Sequence, residues 1–535
     1  MTRAFDVIVV GSGFGGSVVA CRLAEAGAHV LMLERGRRWT QHTYPRKPND
    51  PWLFDHSRPQ QRNGWLDLRF FKGMAVAQGA GVGGGSLCYS SVVMEANPER
   101  FQEGWPPEIT LSELTPYYQR VRQMLGVRPI PPGQHTQRYK LVQQAAEKLG
   151  YSHRFQSVPL ALSFDAEWNY DLPEPLDPKH SKAFTNAQGQ KQGTCVHLGN
   201  CDIGCDVRAK NTLDLNYIPA AERHGAEVRP LHLVRYIEPD TQGYRVVYDR
   251  IGDNRVFRGS ERGTRVVLAA GSLGSTELLL RCRDEYKTLP RIGHLLGHHW
   301  SSNANMLTPD LYPTAELVHQ GIGPTISAGI DFMDGSIDGQ RFFIEDDGFP
   351  NLLLNTINAT LRSNWWSPFA WTLRSHLRRG LHETNPLGRI MVWLGEGIDA
   401  ADGRLALSRC WLAPWRRVLK LNWKVKRSLA VMNAILAMHQ RLSQASGGRL
   451  RIPFYWTFLK SLVTVHPLGG CKVGTTARDG VVDHRGEVFG YPNLYVADGA
   501  ILPRPIGRNP SMTIAALAER VAHLMAQAGG TDQPP

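Results

Sequence analysis

The chain has 535 residues, 42% of them hydrophobic and 20% charged, with 53 glycines, 34 prolines and a net charge of +13. That length supplies core for about two to four domains without disulfides, and the composition excludes a disordered or collagen-like chain in favour of a loop-rich α/β protein. No run of 18 apolar residues occurs, so no membrane-spanning helix is expected, and the basic excess lacks any run of five basic residues or a zinc-finger or RNP-type signature, which points to anionic surfaces other than nucleic acid.

The opening FDVIVVGSGFGGSVVACRLAEAGAHVLMLERG predicts a strand over 5–10, a glycine turn, a helix over about 15–26 and a strand over 28–33. A strand starting at residue 5 leaves no room for a cleavable leader, so a cytoplasmic location is expected. Gly11, Gly13 and Gly16 form G-x-G-x-x-G where strand turns into helix, with Phe14 and Gly15 inside the same turn, and Glu34 closes the second strand. Gly11 permits the tight turn, Gly13 lets a pyrophosphate approach the helix N-terminus, Gly16 permits close helix-to-strand packing, and Glu34 can accept from a ribose hydroxyl. With strands, helix and acid all in place, dinucleotide binding is the reading.

A second run, GAGVGGGS at 79–86, matches the same string through Gly79, Gly81 and Gly84. The following LCYSSVVME reads as a strand with no acid at the right distance, so this is no second Rossmann start. Its bland reading is a surface loop; the sharper one is backbone pressed against a cofactor, with Gly79, Gly83, Gly84 and Ser86 in reach.

From 105 to 194 the text is proline-rich, with helical patches over about 112–124 and 139–149. Residues 209–234 read as helix then strand, and RVVLAAGSLGSTELLLRC (265–282) as strand, turn and helix, with Ala270 and Gly271 at the turn. Residues 300–460 read as β-like and aromatic, and 465–535 return to strand, loop and a final helix. The expected architecture is a discontinuous dinucleotide-binding domain (1–105, 195–300 and 464–535) with a substrate domain (106–194 and 301–463) inserted in pieces.

The eight cysteines are scattered except for Cys195, Cys201 and Cys205, which suits reduced thiols. C-x5-C-x3-C lacks the fourth ligand of an iron–sulfur cluster, so a structural role is preferred and no metal is expected. Two stretches, 365–382 and 411–427, mix tryptophans with basic residues; they read equally as a buried aromatic face with a solvated edge or as a dock on anionic membrane. In LVTVHPLGGCKVG (462–474) a β-rich run delivers His466 to Pro467, which fixes the backbone after it, and two glycines follow. That segment holds an imidazole still without saying whether it is catalyst, ligand or core.

Five motifs taken together, GSGFGGSVVACRLAEAG, GAGVGGGSLCY, AAGSLGSTELLL, HPLGGCKVG and NLYVADGAILPRPIGRNPSMTIAALAERVA, occur in the order found in glucose-methanol-choline oxidoreductases, and the chain resembles the cholesterol-oxidase-like branch. The resemblance implies an α/β fold with a Rossmann-like FAD-binding domain and an inserted α+β substrate domain on an antiparallel sheet. It implies FAD with its ADP half on the first turn and Glu34, its isoalloxazine near 83–90 including Tyr89, and Asp498 and Gly499 near the ribityl and phosphate portion. SLCYSS lacks the histidine that carries a covalent flavin in some members, so a non-covalent flavin is expected.

The family's histidine and asparagine facing flavin and substrate carbinol fall on His466 and Asn509, the latter followed by Pro510 and Ser511. Hydride transfer from the carbinol needs an acceptor for the hydroxyl proton, which neutral imidazole suits, and Asn509 can donate to the developing oxygen anion. Steroid oxidases that also isomerise use a substrate-domain carboxylate; 385–403 gives no clean match, and Glu396 is the nearest substitute. The expected activity is oxidation of a bulky apolar alcohol or sterol, with membrane-surface association as an accompanying reading. The alternatives are a long-chain or aromatic alcohol dehydrogenase with a non-oxygen acceptor, and a lipid-binding flavoprotein without catalysis; oligomeric state stays open.

Overall fold

Val7, Ile8 and Val9 have no exposed surface, so the first strand, Phe5–Val10, is covered on both faces, as the run of β-branched residues demands. Each such side chain contributes about 1.5–3 kcal/mol on burial. The computed structural model describes residues 4–313, 318–351, 386–409 and 416–528. Around the first strand lies a seven-stranded sheet. Glu227–Arg229, Val30–Leu33, Phe5–Val10, the end of Val256–Leu268 and Leu494–Val496 run parallel, while Gly243–Ile251 and His232–Asp240 extend it antiparallel. The helix Phe14–Glu25 packs against the C-terminal helix Ser511–Ala528. Arg22 and the Tyr217 hydroxyl both donate to the fully buried Glu519 there, at 2.7 and 2.8 Å.

A second sheet of six strands is antiparallel throughout, in the order Arg449–Leu450, Met306–Leu311, Ile390–Gly397, Gln340–Asp347, Ala328–Ile337, Phe155–Ser157. The mixed α/β class with one Rossmann-like and one antiparallel sheet is therefore as the sequence reading had it. A small sheet of Leu462–Thr464, Met74–Gly79 and Leu66–Phe71 carries the segment that ends at His466.

Two expectations fail. LCYSSVVME forms no strand: a 3-10 turn, Gly84–Leu87, leads into irregular backbone with only an isolated bridge from Val92 to Leu160. Tertiary hydrogen bonds override the β-branched text there, because buried Lys210 donates to the carbonyls of Leu87 and Tyr89 and the Tyr89 hydroxyl donates to that of Asn211. Within 300–460 the reading missed the helix Leu429–Ser446, whose Val431, Met432, Ile435, Met438 and Leu442 bury one face at helical spacing. The tryptophan-rich stretch 365–382, and 411–415 of the second one, lie outside the described residues. Among the described residues no helix is long and apolar enough to cross a membrane.

Candidate active site and cofactor cradle

The first glycine turn is built by backbone contact. Gly11 has φ +99°, a region costly to any side chain, and a Cβ on Gly15 or Gly16 would stand 1.6 Å from Ala497 O or 2.0 Å from Gly11 O. Gly84 of the second run presses on the first, its Cβ position 2.6 Å from Gly13 Cα. Three other glycines differ: a Cβ on Gly13, Gly85 or Gly271 meets no protein atom closer than 3.8 Å, and all three line a cavity of about 700 Å³. Missing side chains thus keep open a channel between the two glycine runs and the Ala270–Gly271 turn, which fits an extended dinucleotide at the helix N-terminus.

Glu34 lines this cavity but is already engaged. Oε2 accepts from Ser12 N and Oγ, at 3.1 and 2.7 Å, and Oε1 from Gly36 N at 2.8 Å, leaving about one lone pair, on Oε1, for a ribose hydroxyl. Asp498 lies at the cavity wall with its carboxyl turned back, accepting from Gly271 N, Ser275 Oγ and Ala500 N; burial pushes it up to about 6. It ties its own turn to the start of the Gly271–Leu280 helix.

Phe14, Gly79, Tyr89, Ala270 and Gly499 also line the cavity, as do Asn509, Pro510 and Ser511. Gly16, Gly83 and Ser86 do not. Gly16 packs on Gly11, Gly83 N donates to Ser12 Oγ, and Ser86 Oγ donates to Gly83 O while accepting from Leu213 N, so these three shape the turns from behind.

At the other end of the cavity stands His466. Thr464 Oγ1 donates to Asn305 Oδ1 at 2.7 Å and accepts from His466 N at 3.0 Å, and Val465 N donates to the same Asn305 oxygen. Gly469 follows because His299 O lies 2.1 Å from where its Cβ would be. His466 Nδ1 is 2.8 Å from Glu396 Oε1, and Asn305 Nδ2 lies 3.2 Å from the same ring nitrogen. The two contacts call for opposite tautomers, since Asn305 Nδ2 can only donate and Glu396 Oε1 only accept; the shorter contact, to the buried carboxylate, favours the proton on Nδ1, and in that form Nε2 is the free acceptor on a ring that lines the cavity.

Glu396 therefore does not occupy the substrate-facing position expected of an isomerising carboxylate. It has no exposed surface, is not part of the cavity wall, and holds His466 from behind. Asn509 Nδ2 lies 3.2 Å from both Glu396 Oε1 and Glu345 Oε2. Burial, and next the neighbouring Glu396, raise Glu345 well above the usual carboxyl range, since two adjacent buried acids do not both ionise readily.

Sequence reasoning missed Glu345, Asn303, Asn305 and Thr464. Asn303 Oδ1 accepts from Ile506 N and Gly507 N and so aims the loop that carries Asn509. Buried Ala304, between the two asparagines, has φ +49°, a conformation costing about 1–2 kcal/mol that turns Asn303 and Asn305 toward separate partners. The available signals were an acid inside a strand-like run, RFFIEDD, and two asparagines in SSNAN.

The chain matches two family models: a GMC oxidoreductase model over residues 400–518 and an NAD(P)-binding Rossmann-like domain over residues 9–59. It is 30% identical to a cholesterol oxidase of Acinetobacter baumannii, over 96% of this chain and 93% of the relative, and 29% identical to a cholesterol oxidase of Mycobacterium tuberculosis, over 100% and 93%. Among solved structures it resembles pyridoxine 4-oxidase from Mesorbium loti with a TM-score of 0.64 at 16% identity, covering 97% of this chain and 99% of that one, a likeness of fold. The open channel, the two family-model matches and the full-length similarity converge: the chain belongs to the GMC oxidoreductase family, as a cholesterol-oxidase-like flavoprotein that binds FAD.

Proposed function

We propose that the protein oxidises a bulky, largely apolar secondary alcohol of the 3-hydroxysteroid type to the ketone, with His466 accepting the hydroxyl proton. The observation that carries this reading is the imidazole at the cavity wall with Nδ1 held by Glu396 at 2.8 Å, which leaves Nε2 as a base. FAD, when bound, supplies the two-electron acceptor for the hydride leaving the carbinol carbon. His466 Nε2 takes the proton from the oxygen, Glu396 stabilises the imidazolium that results, and Asn509 stands at the same oxygen. Leu307, Ile326, Leu394 and Val465 line this end of the cavity and favour an apolar body, in keeping with the name of the relatives. Asp202 and Asp347 share that cavity. Burial raises both, Asp202 to about 6, and each in its neutral form can bond a second hydroxyl on the substrate.

The same proposal includes docking on a membrane surface. Phe70, Phe458 and Leu459 are 77%, 80% and 66% exposed. Leu462 N donates to Gly73 O, which sets the end of the Phe454–Leu459 helix beside the turn at Lys72 and Gly73, and exposed Lys72 and Lys460 flank the apolar tip. Apolar side chains with lysines at their margin suit an anionic lipid interface, and Val465, four residues past Ser461, is already part of the cavity wall. The test is anaerobic mixing of the FAD-loaded protein with a panel of sterols, sterol diols, fatty alcohols and aryl alcohols. Bleaching of the flavin by sterols faster than by the other classes is expected; bleaching only by small polar alcohols would refute it.

A further inference from the structure

One wall of the cofactor channel carries a side chain that the glycine turns and the phosphates do not account for. Glu34 O accepts from His232 N at 2.8 Å and Gly36 O from Leu231 N at 2.9 Å, so Arg35 stands between two backbone bonds to the neighbouring segment. Arg35, Leu233 and Val234 all line the cavity. In a Rossmann-like turn the helix N-terminus takes the pyrophosphate and the acid that closes the second strand takes the adenosine ribose. The base then lies past that acid, on the side of the ribose away from the phosphates. Arg35, Leu233 and Val234 are the lining residues next to Glu34 there.

The Arg35 side chain is held but still reaches the cavity, being partly exposed. Its guanidinium carbon sits 4.7 Å from the centroid of the Phe54 ring, and Phe54 is buried and no part of the cavity wall. Nη1 donates to Asp67 Oδ2 at 2.8 Å and abuts the His56 ring. Buried Asp67 also accepts from Arg69 Nε at 3.0 Å, and Arg69 Nη2 lies 3.4 Å from Glu277 Oε2. Two guanidiniums thus face two carboxyl groups, and the charge of Arg35 is already matched. What the guanidinium still offers a ligand is its flat, weakly hydrated face.

We propose that Arg35 is the stacking platform for the adenine of FAD, with the base against the guanidinium face opposite Phe54 and Leu233 and Val234 beside it. Phe54 fixes the plane of the guanidinium and Asp67 its rotation, so little side-chain freedom is lost when the base arrives. The platform recognises the adenosine half of the cofactor alone. The inference rests on FAD binding and is independent of which alcohol is oxidised.

The test reads binding and needs no turnover. The full-length chain, freed of FAD, is titrated with FAD, ADP and FMN as wild type, Arg35→Ala and Arg35→Lys, following flavin fluorescence for FAD and FMN and heat for ADP, at salt concentrations of about 0.05 and 0.5 M. Both variants should bind FAD and ADP about three- to thirtyfold more weakly, the worth of one cation–π stack, and by the same factor at both salt concentrations. FMN, which has no adenine, should bind both variants as it binds wild type. Lysine keeps the charge but not the plane. Wild-type affinity in Arg35→Lys, beside a loss in Arg35→Ala that fades at high salt, would assign the side chain to a phosphate and overturn the inference. Unchanged FAD and ADP affinity in both variants, or a parallel loss for FMN, would overturn it as well. Should Arg35→Ala fail to fold for want of a partner to Asp67, Arg35→Lys carries the comparison, because its ammonium can still meet that carboxylate.

Discussion

Substituting His466 by Ala removes the cavity-facing Nε2 and leaves Glu396 Oε1 with Asn509 as its remaining partner, while the FAD channel between the glycine runs lies at the other end and is untouched. A positioned base is worth about two to four powers of ten, or about 3–5 kcal/mol of barrier at 1.36 kcal/mol per power. Asn509→Ala should cost a similar or smaller factor. Glu396→Gln tests the arrangement more finely: the imidazole stays, but the amide can present an N–H to Nδ1, which reverses the tautomer and places the hydrogen on Nε2, where it cannot accept. Its cost should approach that of His466→Ala. The double variant should be little slower than either single one, because both act on the same proton. The assay is single-turnover flavin bleaching with saturating alcohol, with FAD content measured on each variant. A His466→Ala protein that retains FAD and bleaches at the wild-type rate would show that this imidazole is scaffold, and strict additivity of His466→Ala and Glu396→Gln would show that Glu396 does not act through it.

The purified protein should be yellow and release intact FAD on denaturation, read by chromatography of the supernatant; release of FMN, or a protein–flavin adduct that survives denaturation, would contradict a non-covalent dinucleotide. Gly85→Ala adds a methyl to the open channel and should weaken FAD binding while leaving the melting of the apoprotein unchanged, whereas Gly15→Ala, with its Cβ 1.6 Å from Ala497 O, should destabilise the apoprotein itself by more than about 1 kcal/mol; calorimetry with and without FAD separates the two. Cosedimentation with anionic vesicles should fall as salt rises from 0.05 to about 0.5 M through Debye screening, and Phe458→Ser with Leu459→Ser should weaken it at every salt concentration; equal sedimentation with neutral and anionic vesicles would remove the electrostatic part.

The features legible in the text were those whose cause is local. A strand that must turn into a helix against a phosphate needs glycine at fixed offsets, so Gly11, Gly13, Gly16 and Glu34 announced a dinucleotide fold without any knowledge of the rest. His466 and Asn509 were picked out by the family resemblance, through the short motifs H-P-x-G-G and N-P; the residues themselves said only that the backbone there is restricted. Glu345 was not legible: it is 121 residues before His466 and meets the site only because antiparallel pairing sets Glu345 across from Leu394 and Phe343 across from Glu396. Asn305 was invisible for the same reason, since what makes it functional is a hydrogen bond to Thr464, 159 residues away.

The glycines show the division most plainly. The sequence could count those near the cofactor but could not tell Gly16, which exists to let two backbones touch, from Gly85, which exists to leave room. The text determined the cofactor class, because turn geometry acts over a few residues, and through the resemblance it offered His466 and Asn509 as the two side chains to look for. Only the tertiary structure decided that Glu396 meets the histidine off the cavity wall, because strand register, a property of pairs of distant segments, sets which carboxyl the imidazole faces.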